Sequence, residues 1–135
     1  MSHLTTIETK ITNLNLLKQA LDLLKLKYVE GTEDSLVKVK GWNNESIDAL
    51  LEIKTGGPYG IGVVQNKETG TFEFIADWWG VETYLGENQD SILQKITQKY
   101  AYTTVMDKVK KQGYTVIKES TDNEQNIRLV LRRWD

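Results

Sequence analysis

Apolar residues recur along this chain at two spacings, and each change of spacing marks a new element. Leu14, Leu17, Leu21 and Leu24 fall three and four apart, the period of one helix face. Asn13 or Asn15 stands where an N-cap is needed, so a helix to about Leu26 is predicted. Ile92, Leu93, Ile96, Tyr100, Met106 and Val109 predict a second, longer helix. It begins near Asn88 or Asp90 and stops at Gly113, a natural left-handed end.

Elsewhere the period is two, or the run is short and apolar, and strands are predicted. They span Leu4 to Ile11, Tyr28 to Glu30, Leu36 to Trp42 and Ala49 to Lys54, the last ended by Gly56-Gly57-Pro58. Tyr59 to Gln65 and Thr71 to Trp79 read as a hairpin about Thr69-Gly70. Tyr114 to Glu119 and Ile127 to Trp134 close the chain around the polar turn Asp122-Asn123. Short strand connections favour antiparallel pairing. The expected fold is therefore one α+β domain, residues 1–135, with a largely antiparallel β-sheet and two α-helices packed on one face. A strand, a helix, a Tyr-led strand and a strand ending in Trp occur up to Trp42 and again up to Trp134. That echo reads either as a βαββ pseudo-repeat or as coincidence among common elements.

Composition narrows the function classes. The 135 residues include no cysteine, which removes thiolate nucleophiles, disulfides and thiolate-ligated metals. Net charge is -2, so no global field draws in nucleic acid or an anionic membrane. No apolar run approaches the roughly 20 residues of a membrane helix, and the first residues lack the basic and apolar regions of a signal peptide. A soluble protein without membrane insertion is expected. The single histidine, His3, has no second histidine at ligand spacing, and the serines read as caps and turns rather than nucleophiles. Gly56, Gly57, Gly60 and Gly62 are not followed by the Lys-Ser or Lys-Thr of a phosphate loop. Gly60 and Gly62 read instead as one face of a strand that another element approaches closely. Nothing in the chain calls for a cofactor or a metal.

The run Ala76-Asp77-Trp78-Trp79-Gly80-Val81-Glu82 stands out. Two adjacent indoles at a strand end point to opposite faces, so one fills the core while the other meets water or a partner. Asp77 and Glu82 flank them. The chain's three arginines all lie in the last strand, where alternation sets Arg128, Val130, Arg132 and Trp134 on one face and Ile127, Leu129 and Leu131 on the other. Arg and Trp are enriched where partners bind tightly. The leading reading is thus a non-enzymatic protein that binds another protein through an aromatic and arginine sheet face. Trp79, Arg128, Arg132 and Trp134 make the contact, and Asp77 and Glu82 orient it. For Asp77 itself, a structural ion pair to Arg128 or Arg132, formed where strand pairing brings them together, is expected in preference to an active-site role.

Three alternatives use overlapping residues. A pocket walled by Trp78, Tyr100 and Tyr102, with Asp77 as acid or base, is the design of a small-molecule or metal-dependent enzyme. The same patch is also the design of a homodimer contact. Aromatics with cations on a sheet further describe an RNA-binding module, which the acidic balance and the missing ribonucleoprotein signatures disfavour.

Four strings carry a resemblance: Met1-Ser2-His3-Leu4-Thr5-Thr6-Ile7, Ala76 to Val81, Gln98-Lys99-Tyr100-Ala101-Tyr102 and Ile127 to Trp134. Together they resemble Ycf family member thirty-five, a hypothetical chloroplast reading frame of plastids and cyanobacteria. The resemblance implies a chloroplast-stroma protein encoded in the plastid, or a cyanobacterial cytoplasmic one. It also implies a partner in the photosynthetic or plastid gene-expression machinery, and it assigns no catalytic residue.

Overall fold

The computed structural model describes residues 3–124 and 126–133. Its centre is an antiparallel sheet of five strands. In spatial order they are β1 (Leu4–Glu8), β7 (Phe72–Asp77), β6 (Ile61–Gln65), β5 (Leu51–Ile53) and β2 (Tyr28–Glu30). Register places Phe74 opposite Ile7 and Val63, and Val63 opposite Leu51. Directly opposed residues share a face. Phe72, Phe74, Ala76, Ile61, Val63, Leu51 and Ile53 therefore form one apolar surface, and all are buried.

Helices cover that surface. Helix α1 (Leu14–Leu23) begins at Asn13, whose side chain accepts the Leu16 N–H at 3.0 Å. It ends short of the expected Leu26 because Lys25 takes a left-handed conformation with φ +60°. Helix α3 (Gln89–Lys111) is capped by Asn88 and followed by Gly113 at φ +84°, both as the sequence predicts. Leu17 and Leu21 of α1 and Ile92 and Ile96 of α3 meet the strand residues in one core.

The helix count needs correction. Three helices form rather than two, because strand β7 stops at Asp77 and Trp78–Leu85 is a helix, α2. The Trp pair thus lies in a first helical turn and not on a strand. The cause is Asp77, an N-cap residue placed where the backbone leaves the sheet. The two indoles still part company: Trp78 is 6% exposed and Trp79 is 66% exposed.

The opposite face of the sheet is not open. A two-stranded ribbon, β3 (Val37–Lys40) and β4 (Ser46–Ala49), lies across it. Gly62 makes this possible, because a Cβ there would stand 2.6 Å from Ile47 Cδ1. Gly60 is likewise occupied, by the buried carboxylate of Glu52, so both glycines face a close neighbour as the alternation predicts.

The chain closes with a separate ribbon, β8 (Tyr114–Thr121) and β9 (Ile127–Arg133), bulged between Val116 and Lys118. Strand β8 is the one that rests against α3. Pairing does not repeat between the two halves: β2 joins β5 and β3 joins β4, whereas β8 and β9 join each other.

Candidate functional site

Asp77 organises the region that the sequence singles out. Register opposite Leu4 puts it on the ribbon side of the sheet, and it is fully buried. Its carboxylate accepts two backbone N–H groups: Gly80 at 3.3 Å, which starts α2, and Trp42 at 3.1 Å, which starts the loop between β3 and β4. The helix N-terminus and both N–H donors supply positive partial charge where a buried carboxylate needs it. The expected ion pair to Arg128 or Arg132 is therefore replaced. Two main-chain donors, not guanidinium, hold Asp77.

The Trp42 loop is built to project. Gly41 packs its backbone on Leu4, where a Cβ would stand 2.8 Å from Leu4 Cδ2. Trp42–Asn44 forms a short 3-10 turn in which Asn43 and Asn44 both adopt left-handed conformations, φ +58° and +63°. Asn tolerates this better than other residues with a Cβ. Glu45 closes the loop: its carboxylate accepts the Leu4 N–H at 3.2 Å, and its backbone carbonyl accepts the Gly41 N–H at 2.8 Å. Trp42 is left 52% exposed. One buried carboxylate thus ties down two segments that each present a tryptophan to solvent, Trp42 directly and Trp79 two residues along.

The remaining residues of the expected patch fall elsewhere. Glu82 accepts the Gln89 N–H at 2.6 Å and so joins α2 to the start of α3. Arg128 and Arg132 lie on β9, in a sheet separate from the one that carries Asp77, and both are exposed. Trp134 lies outside the described residues.

The alternative pocket residues also separate. Trp78 is in the core on the helix side, its indole N–H donating to the Thr5 carbonyl at 3.1 Å. Tyr100 packs against the same core, and its hydroxyl accepts the N–H groups of Thr12 and Asn13 at 3.2 and 3.1 Å. Burial pushes the Tyr100 phenol up, but those donors outweigh it and hold the group below the ordinary phenol value. Tyr102 points to another flank, where burial and the Glu119 carboxylate at 3.2 Å raise it. Asp77 is across the sheet from all three.

Tyr102 does line two grooves. One, of about 590 Å³, runs between α1 and α3 past Asp22, Leu23, Met106 and Asp107. The other, of about 470 Å³, runs between α3 and the last ribbon past Lys95, Lys99 and Ile127. Among the described residues no three histidine or carboxylate side chains gather at metal-binding distance.

A family model described as "Protein of unknown function (DUF1257)" matches residues 20–130. The chain belongs to this family. It is 34% identical over 136 residues to "Uncharacterized protein ycf35" of Cyanophora paradoxa, covering 99% of this chain and 98% of that one. It is 33% identical to the protein of that name in Pyropia yezoensis, covering 100% and 99%, and 31% identical to that of Guillardia theta, covering 99% and 98%. No solved structure matches it.

The DUF1257 match contains Asp77, Gly80 and the Trp42 loop, which the sequence patterns do not single out, while Leu4 precedes it. Trp42 and Glu45 are not among the predicted site residues. The available signal is Gly41-Trp42-Asn43-Asn44, a bulky aromatic beside two turn-forming asparagines at the end of a strand. In this DUF1257 chain no described helix is long and apolar enough to cross a membrane.

Proposed function

We propose that this chain is a non-enzymatic accessory protein. It binds another protein of the photosynthetic or plastid gene-expression machinery, and Trp79 and Trp42 anchor the contact. The observation that carries this reading is the exposure of both indoles on segments that one buried carboxylate ties by hydrogen bonds to the Trp42 and Gly80 N–H groups. Large aromatics that are already ordered lose little freedom on binding, and they dominate the energetics of protein interfaces. The photosynthetic setting rests on kinship with the ycf35 proteins, and so does placement in the chloroplast stroma or the cyanobacterial cytoplasm. An enzyme built on Asp77 draws less support, since main-chain donors already hold both its carboxylate oxygens.

The test is site-specific cross-linking in the native organism, with a photoreactive phenylalanine analogue in place of Trp79 or, as control, of Lys67. A discrete protein adduct at position 79 that is absent at 67 and lost with Trp42→Ala supports the reading. Equal adducts at both positions, or none at 79, overturn it.

A further inference from the structure

The last ribbon has two unlike faces. Register sets Glu119 opposite Leu129 and Thr121 opposite Ile127, and Glu119 meets Tyr102 of α3, so this face turns inward. Lys118 opposite Val130, and Ser120 opposite Arg128, lie on the other face with Arg132. Every one of those outward residues is exposed. Within β8 and β9 the outward face therefore carries Lys118, Arg128 and Arg132 and no carboxylate, in a chain whose net charge is -2. Asp122 follows in the turn, where its carboxylate is taken up by the Glu124 and Asn126 donors. Among the described residues no acid forms an ion pair with any of the three. The ribbon also has an open edge. Strand β9 pairs with β8 on one side, and no described strand pairs with its far side.

An unpaired strand edge is a template for another strand, and native edges are usually shortened, covered or bent away. Here seven residues stay open, with Val130 exposed between the two arginines. Side chains on one face of a strand recur every second residue, so Arg128, Val130 and Arg132 span about 13 Å of one row. An added strand sets its own alternate residues against that row. We propose that the free edge of β9 takes an extended segment of a partner protein with the pattern acid–x–apolar–x–acid, its carboxylates against Arg128 and Arg132 and its apolar residue against Val130. This deepens the protein-binding reading above and rests on it, adding a second contact distinct from the tryptophans.

Two other occupants fit less well. A second copy of β9 paired antiparallel about Val130 brings Arg128 against Arg132 of that copy, and parallel pairing brings each arginine against itself; both set like charges together. Single-stranded nucleic acid stacks its bases on aromatics. Among the described residues the outward face has none.

The experiment titrates the full chain with a fluorescent peptide in which Glu-Thr-Val-Thr-Glu forms the central segment. Three comparisons decide the outcome. Arg128→Glu with Arg132→Glu weakens binding by roughly tenfold or more, and a peptide with lysines for the glutamates restores it on that variant alone. N-methylation of alternate peptide nitrogens, in the phase that faces β9, abolishes binding while leaving charge unchanged. Circular dichroism confirms that the double variant is folded. The proposal fails if a scrambled peptide with adjacent glutamates binds equally, if N-methylation has no effect, or if an oligonucleotide of equal charge displaces the peptide. The Trp79→Ala chain still binds the peptide, so failure here is separable from failure of the tryptophan contact.

Discussion

The ring of Tyr59 lies over the backbone of Gly80, filling the space that a side chain at position 80 would need. The relationship is reciprocated one turn on, where Tyr84 of α2 covers Gly57 in the loop before β6. Loop and helix are thus locked ring on glycine, twice. In an ordinary helix Gly→Ala stabilises by about 0.5–1 kcal/mol. Here Gly80→Ala is expected to destabilise by about 1–3 kcal/mol, the range for forcing extra volume into a packed contact. Tyr59→Ala in the same chain should return most of that loss, since it removes the obstruction. Denaturant melts of the two single variants and the double one measure the coupling.

Asp77 gives a sharper contrast between isosteres. Asp77→Ala strands the Gly80 and Trp42 N–H groups in a buried place, at about 1–3 kcal/mol for unmet donors. Asp77→Asn keeps one acceptor oxygen, so it should lose only one of the two bonds and about half that stability. Amide exchange distinguishes which one. Protection at Trp42 and Gly80 falls together in the alanine variant and singly in the asparagine variant.

Three of the four tryptophans, Trp42, Trp78 and Trp79, should report their environments separately. Trp78→Phe is expected to remove blue-shifted emission and to lower stability, because the indole sits in the core and bonds Thr5. Trp79→Phe and Trp42→Phe should remove emission that acrylamide quenches readily, each with a stability change within about 0.5 kcal/mol, as for exposed positions in general. A Trp79→Phe chain as easily quenched as the parent would contradict the exposure of that indole.

Much of the architecture was legible in the sequence because its signals are local. Asn13 and Asn88 cap the helices, Gly113 follows the longer one, and Ile127, Leu129 and Leu131 alternate with Arg128 and Arg132. The Trp pair reads as strand in the sequence because the run from Thr71 continues an apolar pattern straight into it. Only the capping geometry of Asp77 says that the chain has turned. The tie from Asp77 to Trp42 spans 35 residues and uses a backbone donor, which no side-chain pattern encodes. The covering of the second sheet face depends on Gly62 admitting Ile47, where the sequence shows the gap but not what fills it.

The turn that joins β8 to β9 should respond to acid in a defined direction. Asp122 accepts the Asn126 backbone N–H at 2.9 Å, the Asn126 side chain at 3.2 Å and the Glu124 N–H at 2.9 Å. Those donors hold its carboxyl below the ordinary aspartate value of 3.8. A folded value below the unfolded one means that its support of the turn is complete above the unfolded value and is lost as pH falls through the folded one. The Asn126 amide resonance is therefore expected to titrate below pH 3.8, and Asp122→Ala should abolish that titration.

Tyr100 makes the corresponding case at high pH. Its hydroxyl accepts two N–H groups at the start of α1, and its ionisation is lowered from 10.0 in the folded chain. Phenolate gains from the same donors and from the helix N-terminus, so the folded state holds the ionised form better than the unfolded state does. The resulting stabilisation is present above pH 10.0 and disappears as pH falls through the lower folded value. Tyr28 and Tyr102, both raised, act in the opposite sense, so the parent melt alone mixes the three. The difference between parent and Tyr100→Phe isolates one of them. It should sit near about 1 kcal/mol at neutral pH, from the lost hydroxyl bonds, and widen as the solution turns alkaline. Phenolate absorbance should show one tyrosine that ionises below pH 10.0 missing from the variant. A difference that stays flat into the alkaline range would mean that the α1 N–H groups do not favour the ionised phenol.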